Sequence, residues 1–275
     1  MTFDPSSRRK QENNASSSPE REGPVTHFGF RTVSEHHKQG LVDQVFTSVA
    51  HKYDVMNDVM SLGIHRLWKE CLVDQLAPYP SWQILDIGGG TGDIAFRILS
   101  RVQAKDQTST GPAITVCDIN PAMLAVGRER AHAAYPNVAS IQWVNGNAEA
   151  LPFESGRFDA CSIAFCLRNV THIDRVLREA RRILKPGGHF LCLEFSQLLM
   201  PGFDRLYDMY SFHMLPRLGK IIADDEDSYR YLAESIRRFP AQDVLARLMA
   251  HAGFDRVSYQ NLSGGIAALH SAWRI

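Results

Sequence analysis

The stretch QILDIGGGTGD, residues 83–93, decides the fold. Gln83 to Ile87 is a short apolar run of strand type. Asp86-Ile-Gly88-Gly-Gly90-Thr-Gly92-Asp93 then turns the chain and opens a helix near 92–102. Glycines let a backbone turn tightly and approach a ligand with no Cβ in the way, and a helix start offers unpaired N–H groups to anionic atoms. Two phosphate-binding patterns fail here. A G-x-G-x-x-G fingerprint begun at Gly88 requires glycine at 93, where Asp93 stands, and the GxxxxGK[ST] loop requires lysine where Gly92 is followed by Asp93.

Outward from this loop the chain alternates. Apolar runs near 113–119, 141–144, 158–165 and 188–195 read as strands, with helix-like segments near 121–134 and 172–184 between them. Lys185-Pro186-Gly187-Gly188 ends the last of these helices, because proline and glycine stop a helix. Two more runs, 255–262 and 265–274, joined across Ser263-Gly264-Gly265, read as a terminal hairpin. Strand, helix, strand in succession predicts an α/β, Rossmann-like fold: a mostly parallel seven-stranded sheet, helices on both faces, and ligand groups at the carboxyl ends of the parallel strands.

Three segments flank this pattern. Residues 1–24 carry four acidic and four basic side chains and almost no apolar ones, which predicts a disordered tail rather than a basic, amphipathic transit peptide. From Gln39, the residues Leu41, Val42, Val45, Phe46, Val49, Tyr53, Met56 and Met60 form an apolar helical stripe, most of it expected to pack as core. Residues 197–239 interrupt the alternation with Met and aromatic side chains, a composition expected of a helical lid over an irregular apolar guest. The domain itself is expected to span 25–275.

Composition narrows the function. Lys plus Arg number 30 and so do Asp plus Glu, so the formal net charge is zero, against a nucleic-acid partner held through its phosphates. Five cysteines without a CxxC pair argue against a disulfide framework or a zinc site, and no metal is expected; the eleven histidines, without HExxH or HxH spacing, read as surface residues. No run approaches the 18 apolar residues of a membrane span, which leaves peripheral contact.

Two further positions sit in register with the glycine loop. Asp118 ends the second strand, where a carboxylate can accept from both hydroxyls of a ribose; the alternative is a helix cap, a place Asn120 occupies more naturally. Asn147-Ala148 follows the third strand, where an amide and a backbone N–H can read an adenine edge, although Asn147 alone reads equally as a turn residue. An acid two residues before Gly88, with glycines at 88, 90 and 92, resembles the pattern of Rossmann-like S-adenosylmethionine-dependent methyltransferases.

Longer motifs carry a closer resemblance. THFGF (26–30), KYDVMNDVMSLGIHRLWK (52–69), NAEALPF (147–153), LRNVTHID (167–174), RILKPGGHFLCLEFS (182–196), SYRYLAESIRRFP (228–240) and GGIAALH (264–270) resemble the ubiquinone and menaquinone biosynthesis C-methyltransferase family, over nearly the whole chain from Thr26. THID after LRNV and LCLEFSQ look most like its eukaryotic mitochondrial members. The resemblance implies methyl transfer from S-adenosylmethionine to a ring carbon of a polyprenyl methoxy-benzoquinol, with demethylmenaquinol as an alternative acceptor and a weakly active scaffold subunit as a further alternative. It also implies a mitochondrial enzyme on the matrix face of the inner membrane, within a multi-subunit coenzyme Q synthesis complex, with a homodimer as an alternative assembly.

Thr91, Asp118, Asn147 and Ala148, with Gly88 and Gly90, are the implied cofactor positions. The chemistry requires a nucleophilic ring carbon, made by loss of a quinol proton. Arg168 and Asn169, directly after the fourth strand, are candidates to stabilise and orient the phenolate, and Tyr53 to hydrogen-bond it; an Arg168 that caps the strand or pairs with an acid, and a Tyr53 packed as core, are the alternatives. Where the family often has Ser-Phe-Gly, this chain has Ala164-Phe165-Cys166: one hydroxyl contact to the cofactor is lost, and the thiol narrows the site.

Overall fold

Alternation along each strand sorts the core into two layers. In Gln83–Ile87, Ile84 enters one apolar cluster while Leu85 and Ile87 enter the other; in Leu184–Phe195, Leu191 and Leu193 share the first cluster while Phe190 and Cys192 share the second. Period-two side-chain direction on a sheet covered on both faces requires this sorting. The computed structural model describes residues 24–50, 55, 57–58, 61–105, 111–135, 141–197 and 226–275.

A hairpin of β1 (Val25–Phe28) and β2 (Arg31–Ser34) leads into α1 (Glu35–Val49) and α2 (His65–Leu76). Then come β3 (Gln83–Ile87), α3 (Asp93–Lys105), β4 (Ala113–Asp118), α4 (Pro121–Ala134) and β5 (Ile141–Asn145). The second half runs β6 (Phe158–Ala164), a 3-10 turn (Leu167–Asn169), α5 (Ile173–Ile183), β7 (Leu184–Phe195), α6 (Glu226–Arg238), α7 (Gln242–His251), β8 (Asp255–Leu262) and β9 (Ala267–Arg274). Strand order is β5-β4-β3-β6-β7-β9-β8, with the first five parallel and β9 antiparallel to both its neighbours.

The chain leaves β3 in one direction through β4 and β5, then returns to the other side of β3 as β6. The switch point lies between the carboxyl ends of β3 and β6, where an open α/β sheet leaves a crevice. Helices α2 and α3 cover one face: Trp68, Leu72 and Leu76 recur every four residues, and Ile94, Ile98 and Leu99 pack beside them. Helices α5 and α7 cover the other through Val176, Leu177, Ala180, Leu245 and Met249. Fully burying one such aliphatic side chain is worth about 1.5–3 kcal/mol.

The fold differs from the sequence expectations at several points. Lys185-Pro186-Gly187-Gly188 does end a helix, but it lies inside β7: pairing runs Phe158↔Leu184 and then Ala160↔His189, so the four residues bulge out of the β6 ladder, Gly188 pairing only with Arg274 of β9, and Pro186 needs no partner strand. The histidines are not all superficial. His65, His189 and His270 are buried, each with Nε2 satisfied, by Asp58 Oδ1 at 2.9 Å, Ser271 Oγ at 2.8 Å and the Gln242 carbonyl at 2.9 Å. Part of the stripe on α1 also lines the crevice: Val42, buried, and Phe46 both face it. The β1–β2 hairpin had no counterpart in the sequence reading. Of the expected segments, the tail to residue 23, Tyr53 and residues 198–225 of the 197–239 insertion lie outside the described residues.

Candidate active site

Gly88 and Gly90 have φ of +61° and +51°, a region that favours glycine, and space forbids a side chain as firmly as torsion does. A Cβ on Gly88 would lie 2.1 Å from Cys166 Sγ, and one on Gly89 would lie 2.5 Å from Asp86 Oδ2. The loop therefore threads between two side chains at the switch point, with its backbone forming the cradle. Above it opens a cleft of about 1120 Å³, counted with the solvent at its mouth.

Each cofactor position expected from the sequence, Gly88, Gly90, Thr91, Asp118, Asn147 and Ala148, lines that cleft. Asp118 accepts from Gly90 N through Oδ2 at 2.9 Å and from Asn120 N through Oδ1 at 2.8 Å, so the carboxylate ties the first loop to the second. Burial pushes its pKa up to about 6, against the backbone N–H bonds that favour the charge. Asn120 caps α4, accepting from Met123 N at 3.0 Å, so the capping alternative for Asp118 falls to its neighbour. Thr91 Oγ1 accepts from Arg130 Nη1 at 2.8 Å. Asn147 is exposed and its Oδ1 accepts from Glu149 N at 2.9 Å, which leaves its NH₂ and the Ala148 backbone for an occupant.

Sequence reasoning assigned no contact to Asp86. It is fully buried, and Ser162 Oγ donates to its Oδ1 at 2.9 Å, while Oδ2 has no partner among the described residues although the side chain lines the cleft. Burial raises its pKa to about 7, opposed by the Ser162 bond. A buried acceptor without a donor is costly, and a cationic group entering the cleft would satisfy it. The signal in the sequence was its place two residues before Gly88.

Across the crevice, β6 ends in a strained turn. Phe165 has φ of +56°, unusual for a bulky residue, and is held by its N–H to the Leu193 carbonyl at 2.9 Å and by rings of Trp68 and Phe195. Beyond it Cys166 lines the cleft against Gly88, and burial pushes its thiol pKa well above the ordinary value.

Arg168 and Asn169 are buried together in the 3-10 turn but face different ways. The Arg168 side chain is fully buried and absent from the cleft wall; Nη1 donates to Glu194 Oε1 and to the Phe165 carbonyl, both at 2.6 Å, and Glu194 Oε2 accepts from Arg168 N at 3.3 Å. The acid-paired alternative describes this geometry. Asn169 lines the cleft, and Tyr231 Oη donates to its Oδ1 at 3.0 Å, which aligns the amide. Tyr231 belongs to α6 and stacks on Phe28 of β1 with ring centroids 4.1 Å apart. Burial raises the Tyr231 pKa, which keeps the phenol a donor.

Helix α1 roofs the cleft with Gln39, Val42, Asp43 and Phe46. It is pinned at both ends: Lys38 Nζ donates to the Val170 carbonyl at 2.7 Å, and Asn120 Nδ2 donates to Asp43 Oδ1 at 2.7 Å and Thr47 Oγ1 at 2.8 Å.

Comparison with known proteins places this geometry among relatives. Residues 31–274 match the model of the ubiE/COQ5 methyltransferase family. The mitochondrial 2-methoxy-6-polyprenyl-1,4-benzoquinol methylase of Bos taurus is 50% identical, covering 94% of this chain and 86% of that protein. The ubiquinone/menaquinone biosynthesis C-methyltransferase UbiE of Bartonella henselae is 56% identical, covering 90% and 94% respectively. Among solved structures, a SAM-dependent methyltransferase of Thermotoga maritima matches with a TM-score of 0.58 at 19% identity, covering 85% of this chain and all of that one, a likeness of fold.

Proposed function

The chain belongs to the ubiE/COQ5 methyltransferase family and is an S-adenosylmethionine-dependent methyltransferase, and we propose that its acceptor is a ring carbon of 2-methoxy-6-polyprenyl-1,4-benzoquinol. The observation that carries the reading is the cleft itself: an acid-rich crevice whose glycine cradle holds a buried carboxylate oxygen without a partner. That arrangement fits a cationic nucleoside ligand. The acceptor's identity rests on the names of relatives about half identical over nearly the full chain.

The donor fits the residues present. Asp118 would take the ribose hydroxyls, Asn147 and the Ala148 backbone the adenine edge, and Asp86 Oδ2 the amino group. Thr91, with the Gly88 and Gly90 backbone, would close around the chain between them. When bound, S-adenosylmethionine supplies a methyl group already activated by the positive charge on its sulfur. The chain's own residues then have two tasks: to hold the acceptor in line, worth about 7–11 kcal/mol for a well-oriented pair, and to stabilise the anion left when a quinol hydroxyl loses its proton.

Asn169 is the side chain we assign to the quinol oxygen, its NH₂ donating while Tyr231 holds the other end of the amide. Arg168 acts through the turn: locked to Glu194 and to the Phe165 carbonyl, it fixes where Asn169 points and adds a cation beneath the site. Tyr53, which lies outside the described residues, is a further candidate for the same oxygen on the strength of its motif alone. Helix α6, at the end of the Met- and aromatic-rich segment 197–239 that we assign to the polyprenyl tail on composition, supplies Tyr231.

Demethylmenaquinol is the second acceptor we consider, favoured by the Bartonella relative whose name covers both quinones. The mitochondrial names of the bovine, rat and human relatives support a mitochondrial setting. A polyprenyl tail draws the enzyme to a bilayer, so the proposal extends to peripheral contact with the matrix face of the inner membrane, within a quinone-synthesis complex and as a homodimer. Incubating the protein with labelled S-adenosylmethionine and the demethylated benzoquinol tests the acceptor: label on the ring carbon is expected, and label on oxygen or none on the quinol overturns it.

A further inference from the structure

Among the described residues the cleft is lined by Asp43, Asp86, Asp93, Asp118 and Glu149, against a single cation, Lys69. At neutral pH the methyl donor carries two positive groups, sulfonium and ammonium, and one negative group, its carboxylate. We propose that Lys69 binds that carboxylate and so sets the enzyme's requirement for an intact amino-acid end on its cofactor. The inference rests on the reading of the donor given above and adds to it a residue that no glycine-loop motif contains.

Placement supports it. Lys69 lies on the buried face of α2 beside Trp68 and Leu72, with its side chain 4% exposed. Its Nζ donates to Asp93 Oδ2 at 2.7 Å and stands 5.9 Å from the centre of the Phe165 ring. An ammonium has three N–H donors, so the bond to Asp93 leaves others for a ligand. Asp93 is also held by Arg97, whose Nε reaches Oδ1 at 3.1 Å, so its charge stays compensated if Lys69 is shared with an incoming anion.

Lys69 and Asp86 line the same cleft, one cation and one unpartnered anion, as an amino-acid zwitterion requires. Asp118, which ties Gly90 to Asn120, serves the ribose instead. The competing explanation is a strut joining α2 to α3 through Lys69–Asp93. Stability alone accounts poorly for such a pair, because a buried ion pair is often matched or bettered by apolar side chains of similar size. A strut would also be indifferent to the charge of a ligand.

Calorimetric titration of the full chain with S-adenosylmethionine and with its decarboxylated analogue separates the two. Wild type is expected to bind the intact molecule at least about tenfold more tightly, the scale of one charge-assisted hydrogen bond. Lys69→Met should bind both alike, at the level wild type shows for the analogue, and Lys69→Arg should keep most of the discrimination. Unchanged discrimination in Lys69→Met makes the residue a strut and overturns the inference. Equal wild-type affinities overturn it without any variant, so it stands or falls even if Lys69→Met does not fold. Binding of neither ligand by wild type instead removes the donor reading, and this inference with it.

Discussion

The two walls of the crevice are built on different plans. The wall made by the β3, β4 and β5 ends is backbone-rich: Gly88, Gly90, the Ala148 peptide and a carboxylate that braces N–H groups. The wall made by the end of β6 consists of side chains locked by distant partners. Arg168 is fixed by Glu194, 26 residues on, and Asn169 by Tyr231, 62 residues on. The first plan suits a ligand of constant shape. The second suits an acceptor whose ring must be placed against it, and it exposes that placement to changes far away in sequence.

The largest effect expected from breaking this contrast is at Gly88. Gly88→Val puts a branched side chain where a Cβ alone would meet Cys166 Sγ at 2.1 Å, at a φ of +61°. Donor binding should fall by roughly two orders of magnitude or more by calorimetry, since strain and overpacking each cost about 1–3 kcal/mol. Gly88→Ala combined with Cys166→Gly should recover part of what Gly88→Ala alone loses. Equal loss in both would place the defect elsewhere than the thiol contact.

On the opposite wall, Glu194→Ala leaves the Arg168 guanidinium buried without its acid. A loss of about 3–5 kcal/mol in urea unfolding is expected, with turnover falling too. Arg168→Met with Glu194→Leu should regain much of the stability and none of the turnover. Recovery of both would remove the pair from the reaction.

These predictions also mark what the sequence could reveal. Glycine spacing, an acid at each strand end and the period-two runs are local, so the sheet, its terminal hairpin and the convergence of Thr91, Asp118, Asn147 and Ala148 on one cleft were legible together. The pairing of Arg168 with Glu194 was not, because an acid inside LCLEFS looks like any strand residue until β7 is laid beside β6. Tyr231 stood in a conspicuous motif, SYRYLAES, but its partner lies on another element. The buried histidines failed for the same reason: their partners are Asp58, Ser271 and Gln242, and no spacing rule connects them.

An intermediate effect is expected from pH on the first wall. Burial raises the Asp86 pKa to about 7, above the carboxylate's unfolded value. The folded protein therefore holds this proton more tightly than the unfolded chain, and its contribution to stability is fully present at low pH. That contribution is lost as pH rises from about 4 through 7, by up to about 1.4 kcal/mol per pH unit. Thermal unfolding of Asp86→Asn should thus gain on wild type across that window, and saturating S-adenosylmethionine should stabilise wild type more than the variant at pH 8. A constant difference between the two proteins at every pH would contradict the assignment.

The smallest effect belongs to Tyr231→Phe, which keeps the ring stacked on Phe28 and removes only the donor to Asn169. About 1 kcal/mol of orientation is at stake, so the rate of methyl transfer should drop several-fold while donor affinity stays unchanged. The effect should vanish in an Asn169→Ala background, and full additivity of the two substitutions would uncouple Tyr231 from the amide.

The division of labour between the walls is tested most directly by single-turnover methyl transfer from ¹³C-methyl-labelled S-adenosylmethionine, followed by NMR with donor saturating, in wild type, Asp118→Asn and Asn169→Ala. Label is expected on a quinol ring carbon in wild type. Asp118→Asn should recover its rate as donor is raised, whereas Asn169→Ala should bind donor normally and stay slow at every donor concentration. A slow Asp118→Asn at saturation, or an Asn169→Ala rescued by more donor, would contradict the account.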